Sequence, residues 1–165
     1  MKSKFVLPGI AFLAMIVAAP TVSVLYAQGN GIVALANGSG QTTSGGQLRT
    51  FTFTAARDSA NVSSGQAELF NRASGVRVHI DINCLNVVGT TATMSGTVST
   101  SNQTGVPFLT GDPVWFTVVD NGHGTNSPPD LISYVYFFSG PPGIPCTNQF
   151  TVATVPVENG NVTVH

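Results

Sequence analysis

Between Val76 and Cys84 the chain alternates without a break. Val76, Val78, Ile80 and Ile82 take one side; Arg77, His79, Asp81 and Asn83 take the other. Successive side chains leave an extended backbone in opposite directions, so a two-residue rhythm in β-branched residues marks a strand with one dry face. The rhythm returns with Phe51 and Phe53, and again with Ala92, Met94, Gly96 and Val98. Val114, Phe116 and Val118 alternate less cleanly with Trp115, Thr117 and Val119, which predicts a strand covered on both faces. Leu131 to Phe138 has the same character and is expected as one strand.

Turn residues punctuate these runs. Arg72-Ala73-Ser74-Gly75 joins two strands tightly, and Val88-Gly89-Thr90 makes another break. Asn159-Gly160 suits a type I′ hairpin, whose two central residues take positive φ. Val162 and Val164 then form a closing strand, while the first strand is expected near Ile32 to Ala36. No segment after residue 27 keeps a 3.6-residue period. The expectation is an all-β domain, a single antiparallel β-barrel of about eight or nine strands. Pairing of the terminal strands would remove exposed edges. A β-sandwich is the alternative, since both architectures bury one face of each strand.

One hairpin can be read in register. If Asn71 and Val76 close the turn, Leu69 faces Val78 and Ala67 faces Ile80 on the dry side. On the wet side Phe70 meets Arg77, Glu68 meets His79 and Gln66 meets Asp81, pairs worth about 0.2–1 kcal/mol each.

Residues 1–27 have the order of a secretory signal peptide. Lys2 and Lys4 begin it, Phe5 to Ala19 is mostly apolar, and Ala27 precedes a polar, glycine-rich stretch. The apolar run is shorter than the roughly 20 residues a membrane span needs. Cleavage after Ala27 leaves one β-domain, 28–165, with no stable membrane span, in a secreted or periplasmic location. Beyond Ala27 there is no lysine; four arginines stand against seven carboxylates, a net charge of −3. That balance excludes the basic patch a nucleic-acid partner needs. The two cysteines, Cys84 and Cys146, are expected to form one disulfide in an oxidising compartment. Closing a loop of that length stabilises the fold by about 4 kcal/mol in the chain-entropy picture.

Candidate chemistry concentrates in Asp120-Asn121-Gly122-His123-Gly124 and the following Asp130. Hard cations such as calcium take oxygens from carboxylates and amide carbonyls, so Asp120, Asn121 and Asp130 are the candidate metal ligands. The structural alternative is that the two aspartates fix the loop ends by accepting backbone N–H groups. The three histidines have no zinc spacing, and no serine sits in a nucleophile elbow. Glu68 and Asp81 share a face, but two carboxylates on one strand pair are weak grounds for glycoside chemistry. Two loops bear on partners or packing. Val106-Pro107-Phe108-Leu109 is an apolar tip expected to fold back on the barrel mouth. Gly140-Pro141-Pro142-Gly143-Ile144-Pro145 is a stiff run placed to carry Cys146 to Cys84.

The segments SGGQLRTFTFTA, GQAELFNRASGVRVHIDINCLNVVG, WFTVVDNGHGTNSPPDLIS and GNVTVH resemble a group of small secreted bacterial proteins of unknown function. The likeness runs from about Gly29 to His165. It implies a secreted all-β domain and carries over no activity and no site residue.

The functional expectation is a secreted, non-enzymatic β-domain for binding or for the cell envelope. One alternative is a carrier of a small apolar ligand, its lumen lined by Phe51, Phe53, Val78, Ile80, Met94 and Phe116. Such a lumen would enclose about 300 Å³ or more. The other is a surface module stabilised by calcium as its cofactor.

Overall fold

The computed structural model describes residues 31–105, 107–124, 126–137, 146–147 and 152–165. The signal segment 1–27, Val106, Phe138 and the proline run 140–145 lie outside the described residues. Within them the chain is all-β, with no helix. Ten strands form one curled, barrel-like antiparallel sheet: β1 (Ile32–Ser44), β2 (Gln47–Asp58), β3 (Ser63–Asn71), β4 (Val76–Val88), β5 (Thr91–Ser101), β6 (Pro113–Val119), β7 (Leu131–Ser133), β8 (Tyr136–Phe137), β9 (Thr154–Pro156) and β10 (Asn159–Val164). The ladder follows the order β10-β1-β2-β3-β4-β5-β6-β7-β9, with β8 also on β6. Sequence neighbours are therefore sheet neighbours almost throughout. The two terminal strands pair, Ala36 with Val164 and Gly38 with Val162.

The alternating residues do what their rhythm requires. Val78, Ile80 and Ile82 are buried, as are Phe51, Phe53, Met94 and Phe116. Pairing of β3 with β4 follows the expected register, with Leu69 opposite Val78 and Ala67 opposite Ile80. On the outer side Glu68 holds Arg77 and lies 3.5 Å from His79, and the Arg77 guanidinium stands 4.6 Å from the Phe70 ring centre. β6 is buried on both faces: Phe116 turns inward, and Trp115 stacks on Tyr136 at 4.7 Å outside.

Strict alternation fails at bulges, each with a consequence. The β4–β5 register slips between Ile82 and Cys84. Had the rhythm continued, Cys84 would point into the core; the extra residue, Asn83, sends Leu85 inward instead. Cys84 is left outside, where it is bonded to Cys146 with Cα atoms 5.8 Å apart. The expected single strand from Leu131 is two. β7 pairs Ile132 with Val118, β8 pairs Tyr136 with Trp115, and the registers differ by one residue. Ser133 bridges the gap, its hydroxyl accepting from Thr117 N at 2.9 Å and donating to the Tyr134 carbonyl.

Two further expectations are corrected. β1 extends to Ser44, well past Ala36. Its Gly38 and Gly40 lie under aromatic rings: a Cβ at Gly38 would sit 2.8 Å from the Phe53 ring, and one at Gly40 3.1 Å from Phe51. Asn159-Gly160 is not a hairpin turn. β9 pairs with β7 and β10 with β1, so the chain diverges between them. Gly160 belongs to β10, where a Cβ would lie 2.1 Å from the Ser39 carbonyl oxygen. That close approach, not a turn, is why glycine is needed.

Candidate functional site

The lower part of the barrel is filled. Phe53 meets Phe116 edge to face at 5.8 Å, and Ile80 and Met94 are sealed around them. Above them, at the end carrying the β1–β2 and β3–β4 turns, the inward side chains stop short and leave a cup of about 270 Å³. Phe51, Leu69, Val78, Ile132 and Val155 form its walls. Phe108, in a positive-φ conformation, folds back to complete the rim, as its apolar tip suggested. Of the six residues expected to line a lumen, only Phe51 and Val78 do so; the other four are the solid floor.

The mouth is polar, and the register explains why. Thr42 of β1 faces Arg49 of β2, and Arg49 faces Asn71 of β3. Directly opposed residues share a face, so these three form an inward row one step above Gly40, Phe51 and Leu69. Thr42 is only 6% exposed, and its Oγ1 has no hydrogen-bond partner. A buried hydroxyl without a partner costs about 1–3 kcal/mol, so this atom is out of place in a surface that serves packing alone. The Arg49 guanidinium lies 5.2 Å from the Tyr134 ring centre, and the Tyr134 hydroxyl bonds Ser44 Oγ. Among the described residues no carboxylate comes within ion-pair distance of Arg49. The slip between β7 and β8 sets both Tyr134 and Val135 against the cup, where an unbroken strand would turn one of them away.

Asp120, Asn121 and Asp130 do come together, at the seam where β10 lies against the β6–β7 connection. Asp130, 7% exposed, accepts Asn121 N at 2.9 Å and Val162 N at 2.7 Å through its two oxygens. Asp120 accepts Gly122 N at 2.7 Å and Val164 N at 3.0 Å. Asn121 Nδ2 donates to the Pro129 carbonyl. Each of the four carboxylate oxygens therefore holds a backbone N–H. Glu158 adds a third clamp, accepting from Thr43 N and Thr43 Oγ1. Asp58 and Asp112 accept backbone N–H groups in other turns. In a chain this poor in charge, five of the seven carboxylates serve as backbone acceptors. Among the described residues no group of three or more His, Cys, Asp or Glu side chains is placed to hold a metal ion.

Thr42 and Tyr134 carry no signal of their own in the sequence. A signal for Arg49 was present: it shares the parity of Phe51 and Phe53 and so puts a cation on the dry face of β2. Comparison of the chain with protein-family models, with curated proteins and with solved structures gave no significant match.

Proposed function

We propose that this protein is a non-catalytic binding domain that works in a secreted or periplasmic setting and holds a small, mostly apolar molecule in the cup. The carrying observation is a mostly apolar recess lined by Thr42, whose buried hydroxyl has no partner. A side chain kept there for packing would be valine, which has the same shape without the penalty. At about 270 Å³ the cup is just below the roughly 300–1,000 Å³ of drug-sized pockets. At about 30 Å³ for each water-sized group, it takes roughly nine such groups. The Cys84–Cys146 bond supports an oxidising compartment, and no helix of the described residues is long and apolar enough to cross a membrane.

The test uses 1-octanol as a neutral probe and two-dimensional amide NMR as the readout. Shifts should cluster at Thr42, Phe51, Leu69, Val78 and Ile132 and leave Leu85 and Ala92 in place. Val78→Phe, which fills the cup, should keep the fold and remove those shifts. Absence of saturable shifts in the folded wild type, or shifts centred on the opposite end, would overturn the assignment.

A further inference from the structure

The cup has a direction. Its walls are mostly hydrocarbon from the Phe53–Phe116 floor up to Phe51, Leu69 and Val78, and its polar lining includes one inward row, Thr42, Arg49 and Asn71, with Thr50, Ser74, Gln103, Ser133 and Tyr134 beside it. That row contains a single cation, Arg49, with no carboxylate of the described residues within ion-pair distance, and a single partnerless donor, Thr42 Oγ1, on the strand position directly opposite. Resting on the binding role assigned above, we propose that the cup selects an amphiphilic monocarboxylate. Its apolar body lies against Phe51, Leu69 and Val78, and its carboxylate sits at the mouth between the Arg49 guanidinium and the Thr42 hydroxyl.

Three features favour that head group. A guanidinium presents parallel N–H donors that match the two coplanar oxygens of a carboxylate. One arginine balances one negative charge, whereas a phosphate monoester would bring nearly two. The Tyr134 ring under Arg49 restrains the guanidinium at the rim, where head-group recognition needs it, without neutralising it. An acid would also end the isolation of both groups at once: the hydroxyl gains its acceptor and the cation its counter-charge. The apolar body is short, since an eight-carbon chain with its head group already accounts for the roughly nine water-sized groups the cup accommodates.

Three probes of equal length separate the contributions: octanoate, 1-octanol and octylammonium, each titrated into the wild-type protein by NMR or calorimetry. Octanoate should bind at least tenfold more tightly than 1-octanol, and octylammonium more weakly than either. Raising ionic strength should weaken octanoate alone. Arg49→Gln should reduce octanoate affinity tenfold or more, to the level of the alcohol, and change 1-octanol less than twofold. If 1-octanol binds as well as octanoate, or Arg49→Gln leaves octanoate unaffected, the carboxylate assignment is wrong while the cup stands as an apolar site. If none of the three probes binds the folded wild type, the cup is not a binding site and both readings end. The wild-type series alone distinguishes these results should the Arg49 variant fail to fold.

Discussion

The two ends of the barrel are built by one alternation and come out differently. Below, Phe53, Ile80, Met94 and Phe116 interdigitate, and Met94 has no exposed surface. Above, the same inward positions carry Leu69, Val76 and Val78, which are too short to meet across the axis, and then Thr42 and Arg49, which are polar. The contrast separates two requirements that a hydrophobic pattern merges. Apolar parity makes a strand fold; side-chain volume decides whether the interior is filled. Only the lower part meets the second condition, so its residues should dominate stability while those of the upper part hold the capacity to admit a guest.

The sharpest test compares truncations. Phe116→Ala removes a ring from a closed layer and should cost about 4 kcal/mol in a urea unfolding titration. Leu69 is half-buried beside a void that already exists, so Leu69→Ala should cost about 1 kcal/mol. Equal losses would break the distinction between the two ends. The seam comes next. Asp130→Asn keeps one acceptor oxygen but turns an amide N–H₂ toward a backbone donor, so about 3 kcal/mol should be lost, with hydrogen exchange at Val162 and Asn121 accelerated. The smallest change has the opposite sign. Thr42→Val replaces the partnerless hydroxyl by a methyl group and should stabilise the unliganded protein by about 1 kcal/mol, while weakening octanoate binding. Destabilisation by this variant would mean that the hydroxyl is already satisfied.

Much of this molecule can be read along the chain wherever its residues alternate in hydrophobicity. The β3–β4 pairing came out in register because Leu69, Ala67, Val78 and Ile80 leave no other dry face. The second half of β1 was illegible because its inward positions are Gly38 and Gly40; the apolar matter there belongs to Phe53 and Phe51 on the next strand. Asn159-Gly160 was misread for a related reason. A glycine that admits a neighbouring backbone and a glycine that makes a turn are the same letter, and only the partner strand tells them apart. The cup depends on that unread part of β1. The parity of Arg49 places a cation on the dry face, but Thr42 looks like part of a site only once it is known to face Arg49. The Asp120 and Asp130 loop was legible in composition, and of its two readings the N–H acceptor role is the one that the hydrogen bonds display.

The carboxylates that accept from β10 also bear on how one molecule could meet another. A barrel whose ladder stops short of a full circle exposes a row of donors that a strand from a neighbouring chain is shaped to use. Here Val162 and Val164 already donate to Asp130 and Asp120, and two negative charges guard that border. A strand adding to this side would first have to evict both aspartates, so two side chains close the β10 border to templated pairing.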